Sequence, residues 1–218
     1  MSALRHEWRL LSRSRWALAA LLLLLALSSL AVVSGLREVQ RQRDTIARVA
    51  TLQHEELAQQ APKLTRHGDA GTAGYYAFLG TWDAPTPAAF LALGLRDATP
   101  YVLRVRALAL QAQLHEGETY NPELALAGRF DLAFVTVYLL PLFLIALLYD
   151  LVSGERQSGR LATLLALPRA GRGLWWRRAG LRAGLASACV LLPLLAGGVV
   201  SGMTAAPLAA VMPVSYTH

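Results

Sequence analysis

Residues 153–182, SGERQSGRLATLLALPRAGRGLWWRRAGLR, hold seven arginines against one glutamate and lie between two runs without a charged side chain. The run before them is 132–149, LAFVTVYLLPLFLIALLY, bracketed by Asp131 and Asp150; the run after them extends over 183–214. Uncharged runs of this length suit a hydrocarbon core, and a basic stretch between two of them reads as a loop held at one membrane face. A third run, 16–35, follows Arg5, Arg9, Arg13 and Arg15. Its twenty residues, rising about 1.5 Å each, extend about 30 Å, the thickness of the hydrocarbon core. An arginine-containing start, an apolar run and the small residues Ser34 and Gly35 are also the ingredients of a signal peptide. The run is too long for that and further apolar runs follow, so 16–35 is expected to span the membrane.

Composition agrees with a membrane protein. Of 218 residues, 55% are hydrophobic and 16% charged, too apolar for an average soluble domain. The formal charge of +7 would suit nucleic acid if the basic residues formed one soluble face, but they lie beside the apolar runs. Cys189 sits inside an apolar run and offers neither a disulfide framework nor zinc spacing. Pro141 is tolerated in the second run because neighbouring groups in a membrane re-satisfy the carbonyl it frees. Pro193, Gly197, Gly198, Pro207 and Pro213 punctuate the third, read as a helix over 183–200, a turn near 201–206 and an unfinished segment to 218.

Charge placement sets the expected topology. The first fifteen residues carry four arginines and one glutamate, 150–182 carries seven arginines against Asp150 and Glu155, and 36–131 carries ten basic and eleven acidic residues. Arginines near span ends are retained in the cytoplasm, whereas long loops hardly count. Residues 1–15 and 150–182 are therefore expected in the cytoplasm, the spans at 16–35, 132–149 and 183–200, and 36–131 outside. Trp8, Trp16, Trp175 and Trp176 fall at cytoplasmic ends, where amphipathic rings settle among headgroups. The fold class is all-α: a polytopic helical membrane protein with three transmembrane helices and an extracytoplasmic domain between the first two.

Within 36–131, Val39, Ile46, Val49, Gln53 and Leu57 form a thin helical stripe, a stalk continuing the first span until Pro62 stops it. Residues 68–87 are rich in Gly, Thr and Pro with Tyr75, Tyr76, Phe78 and Trp82 embedded, a loop with aromatic anchors. Residues 100–114 fit a helix through Leu103, Ala107, Leu110 and Leu114, and a strand through Leu103, Val105, Ala107 and Ala109. Thr99 as cap and Pro100 at the first helical position favour the helix.

Motifs that would carry chemistry are lacking. His54-Glu55 and His115-Glu116 have no second histidine to complete a zinc pair on one helical face, and there is no Gly-x-Ser-x-Gly elbow. In 154–161, GERQSGRL, Arg160 and Leu161 stand where a phosphate loop requires Lys and Ser or Thr. No span holds an ionisable residue of the kind that marks proton and ion relays. No metal, cofactor or catalytic residue is expected in this chain. The basic stretch reads instead as a helix capped by Ser153, with Glu155 in its first turn and Pro168 closing it. Leu161, Leu164 and Leu165 share one face, Arg156 and Arg160 another. Such a helix lies on headgroups or docks in a groove of another protein.

Residues 121–168, NPELALAGRFDLAFVTVYLLPLFLIALLYDLVSGERQSGRLATLLALP, resemble the permease subunits of type-2 ABC exporters. The resemblance is to the branch with a large external loop after the first span. In that class Ser-x-Glu-Arg-x-x-Gly-Thr-Leu, several leucines, a proline and a basic residue follow the second span. Glu155, Arg156, Gly159, Leu161, Leu164, Leu165, Pro168 and Arg169 match it, while Arg160 departs from the usual Thr and Arg177-Arg178 stand near the usual lysine of the next span. The resemblance implies that these residues form the coupling element that meets a separate ABC ATPase subunit, where ATP is hydrolysed. It further implies a second permease copy or paralogue as partner and the bacterial inner membrane as location. It implies more spans than three, so an N-terminal piece of a longer chain is expected; the ending PVSYTH resembles translated sequencing adapter. Two rival readings are a membrane-anchored sensor whose 36–131 binds a ligand, and an assembly subunit that moves nothing.

Overall fold

The computed structural model describes residues 8–9, 11–12, 14–67, 71, 75, 78–94, 101–106, 129–159, 161–166 and 171–203; for 63–67, 150, 164–165 and 171–172 it describes the backbone alone. The expectations for Thr99, Pro100, Arg160, Pro168, Arg169, 107–128 and 204–218 fall outside the described residues. The chain divides into two compact units, 1–34 with 130–218, and 35–129. Three helices are long and apolar enough to cross a membrane, within Arg15–Pro62, Leu132–Gln157 and Gly173–Ser201.

Helix α1 (Arg15–His67) runs unbroken through the first apolar run and the expected stalk. Ser14 caps it weakly, its hydroxyl accepting from the Ala17 N–H at 3.4 Å. In the first unit its buried residues include Leu21, Leu24, Ser28 and Ala31, three to four apart and so on one face. Ser28 and Ser29 donate to the carbonyls of Leu24 and Leu25, each at 2.8 Å, which satisfies both hydroxyls inside an apolar helix.

The second apolar run begins at Asp131, buried, whose carboxylate accepts from the Phe134 N–H at 2.8 Å and so takes up an orphan donor. The run is helical in three pieces: α2 (Leu132–Phe134), a π-helical turn (Val135–Leu139) and α3 (Leu140–Leu148). Its widened turn lies just before Pro141, with the Leu140 N–H reaching five residues back to the Val135 carbonyl. A proline ring crowds the carbonyl four residues before it, and the extra residue in this turn is how the helix makes room without breaking. Phe130, Phe134 and Tyr138 stack along the start of the span, with ring centroids 5.7 and 5.1 Å apart.

Helix α4 (Asp150–Gln157) follows α3 after a single turn residue, Tyr149, whose backbone is still helical. After Gly159 comes α5 (Leu161–Ala166), and then α6 (Gly171–Ser201). The third helix thus begins at Gly171, ahead of the expected Ala183, and carries Trp175 to Arg182 on its first turns. It closes as expected near 201, where the N–H groups of Gly202 and Met203 return to the carbonyls of Val199 and Gly198. Helices α3 and α6 pack together, with Phe143, Leu147 and Leu151 buried at four-residue spacing in one chain segment and Ala186, Val190 and Leu194 in the other. Leu22, Leu30, Val137, Leu142, Ile145, Leu192, Val199 and Val200 remain exposed, a surface that suits lipid and not water.

The second unit corrects the all-α expectation. Strands β1 (Leu79–Trp82) and β2 (Val102–Val105) pair antiparallel, Leu79 opposite Val105 and Trp82 opposite Val102, and the Asp83 N–H extends the pairing to the Tyr101 carbonyl at 2.9 Å. Residues 102–105 are strand, not helix, because their backbone groups find partners in a segment twenty residues earlier, which outweighs a local cap signal. Pro62 likewise does not end the stalk, since α1 continues to His67. The proline is exposed, as is Ala58, whose carbonyl loses the N–H that a residue other than proline would offer.

Phe90 and Leu93 form the buried centre of this unit. Gly35 lies so close to the turn at Phe90 that an added Cβ would meet the Phe90 carbonyl oxygen at 2.3 Å. Glu38 gathers cations and an amide around it: Arg129 at 2.9 Å, Arg41 at 3.7 Å and the Gln42 amide at 3.3 Å. Gly35→Ala is expected to lower unfolding stability by about 1–3 kcal/mol, the usual range for overpacking. Gly184→Ala, with nothing within 4 Å of the new Cβ, should leave it unchanged or slightly raised. Thermal unfolding of both variants in detergent reads the difference.

Candidate functional site

The residues of interest lie on α4, the break at 158–159, α5 and the first turns of α6. Ser153 is not the cap of a new helix: it sits inside α4, its hydroxyl donating to the Tyr149 carbonyl at 3.0 Å. The helix of the second apolar run therefore does not end at Asp150, and helical backbone carries the chain on to Gln157. There α4 stops, with Ser158 as its last capping residue and Gly159 in the left-handed region at φ +70°. The Ser158 and Gly159 N–H groups return to the carbonyls of Gly154 and Arg156, at 3.0 and 3.1 Å.

This break changes the expected site. The single helix over 153–168 is two helices, so Glu155 and Arg156 belong to α4 whereas Leu161, Leu164 and Leu165 belong to α5. A glycine at φ +70° costs no steric strain, and the left-handed turn it allows ends the hydrogen-bond ladder. Arg156 and Gly159 are exposed and Leu161 half-buried. Residues 154–157 being helical, their N–H groups cannot cradle a phosphate as a glycine-rich loop would.

Glu155 points elsewhere than the sequence pattern suggested. Its Oε1 accepts from Nη1 of Arg178 on α6 at 2.8 Å, and the two side chains keep 18% and 12% of their exposure respectively. Arg178 also lies over the ring of Trp175, 5.6 Å from its centroid. One turn further along α6, Arg182 donates to the backbone carbonyl of Leu147 at the end of α3. Arg177, by contrast, is exposed and folds back on its own helix, Nε to the Gly173 carbonyl at 2.9 Å. Trp176 is 76% exposed, as a ring among headgroups would be, while Trp175 is half-buried under Arg178.

Arg178 and Arg182 are the residues that sequence reasoning missed. Their four-residue spacing was visible, but it means one helical face only once α6 is known to start at Gly171. Among the described residues, no three His, Cys, Asp or Glu side chains come together as a metal site.

The arrangement is two helices separated by a glycine break between two apolar spans, one of them bonded to the following span. A family model described as ABC-2 family transporter protein matches residues 1–172. No curated protein and no solved structure matches the chain significantly. The match takes in the first two apolar runs, the stretch between them and the α4–Gly159–α5 element, which is most of the chain, and the protein therefore belongs to the ABC-2 family of transporter proteins, as a membrane-spanning permease component.

Proposed function

We propose that this permease couples ATP hydrolysis in a separate ABC ATPase subunit to export of a substrate across the bacterial inner membrane. The observation that carries the reading is the α4–Gly159–α5 element, set between two spans and built on the residues whose pattern resembles the coupling segment of type-2 ABC exporters. The ATPase has two states, and an element that touches it differently in each converts that difference into motion of the spans. Arg156, Gly159, Leu161, Leu164, Leu165, Pro168 and Arg169 form the contact with the ATPase; Glu155 completes the element from its inner side. Helices of eight and six residues present far less than the roughly 800 Å² per partner of a standard interface. A second permease copy or paralogue, bringing a second such element to a paired ATPase, supplies the rest. Residues 1–15 and the coupling element lie in the cytoplasm and the second unit outside, following the arginine asymmetry.

Cysteine labelling tests the topology, since Cys189 is the one native cysteine and can be replaced by alanine. Ser158→Cys and Thr81→Cys are both at exposed positions. An impermeant maleimide added to intact cells should label Thr81→Cys and leave Ser158→Cys unlabelled until the membrane is opened; the reverse pattern overturns the orientation.

Coupling is tested by ATP hydrolysis of the permease–ATPase complex in lipid. Leu164→Asp should abolish the permease-dependent part of that activity while membrane insertion stays normal. Gly159→Val, which forces a β-branched residue into the left-handed region at a cost of about 1–2 kcal/mol, should reduce it severalfold. Full activity in both variants overturns the assignment.

A further inference from the structure

We propose that Arg178 and Arg182 are positioning residues that fasten α4 and the end of the second span to the third span, so that these move as one lever. The inference rests on the proposed coupling role of α4 and α5. Arg178 and Arg182 stand one turn apart on α6 and hold two points on either side of Tyr149: the Glu155 carboxylate on α4 and the Leu147 carbonyl on α3. A single attachment would leave α4 able to swing at Tyr149; two attachments to one helix face remove that freedom.

The surroundings show which side of α4 this is. Arg156, Gln157 and Ser158 are exposed, as is Arg177, whereas the side chains of Glu155 and Arg178 keep only 18% and 12% of their exposure. Glu155 is turned toward the third span, where its carboxylate accepts from Arg178. The Trp175 ring beneath Arg178 favours the guanidinium staying where it is. Breaking a charged contact this little exposed to solvent costs more than breaking an exposed pair. A push on α4 therefore turns the second and third spans together, because the bond between α4 and α6 is not the weak point.

The test is a charge exchange in the permease–ATPase complex in lipid, read in two ways. Melting of the permease itself should be lowered by Glu155→Arg and by Arg178→Glu and largely restored when both are present, the pattern of a direct pair. Permease-dependent ATP hydrolysis should fall about tenfold in each single variant with the same amount of ATPase bound, and return to within about threefold in the double variant. Glu155→Gln and Arg178→Gln, which remove charge without reversing it, repeat the single-variant measurements should the reversals not insert. Arg182→Lys, which keeps a donor, should retain more activity than Arg182→Met. A double variant no better than the singles in melting overturns the ion pair, and restored melting without restored hydrolysis overturns the lever. Absence of any ATPase bound to the unaltered permease overturns the proposed coupling instead, and the melting cycle still decides the fastening.

Discussion

In hydrocarbon there is no water to satisfy a backbone N–H or carbonyl, and the arrangement of the first unit follows from that constraint. Asp131 takes up the Phe134 N–H where the second apolar run begins, and Ser28, Ser29 and Thr136 turn their hydroxyls back onto carbonyls of their own helices. Pro141 removes one donor from the ladder, and the π-helical turn before it absorbs the misfit while Leu140 still bonds the Val135 carbonyl. At the far end of that run the Leu147 carbonyl accepts from Arg182, a side chain of another helix. That bond links two spans.

The same link connects structure with transport. On the proposed coupling role, what matters is which helices are bonded to one another. Glu155 and Arg178 bond α4 to α6, whereas Gly159 separates α4 from α5 with a turn that has open space around it. Under the proposed coupling role, a bonded side of α4 and a glycine break after it would suit an element that passes force to the spans. The apolar side chains left exposed on all three spans suit lipid or further helices of the assembly.

The positions of the membrane helices were legible because an uncharged run of this length has few other stable uses, and Asp131 and Asp150 bracket one such run so plainly. Gly159 was legible from its place in a recurring motif, although its role as a helix break was not. Helical spacing made Leu161, Leu164 and Leu165 continuous with Arg156, and only a left-handed φ at one residue showed otherwise. Residues 102–105 fitted both helix and strand, and the cap signal at Thr99 and Pro100 tipped the reading wrongly to helix; their pairing with 79–82 decided for strand, and no short window of sequence contains both segments. Pro62 misled because a proline removes one hydrogen bond from a helix without necessarily ending it.

The sequence by itself determined that the chain is a membrane protein with three apolar helices, that its arginines gather beside them, and that the residues around Glu155 resemble a coupling segment. Those properties are read along the chain, from hydrophobic length and charge order. Only the tertiary structure decided that Glu155 faces Arg178, that Arg182 holds the Leu147 carbonyl, and that α4 and α5 are two helices. Ion pairs and hydrogen bonds act through space over a few ångströms, and a separation of 23 positions between Glu155 and Arg178 says nothing of that distance until the helices are packed.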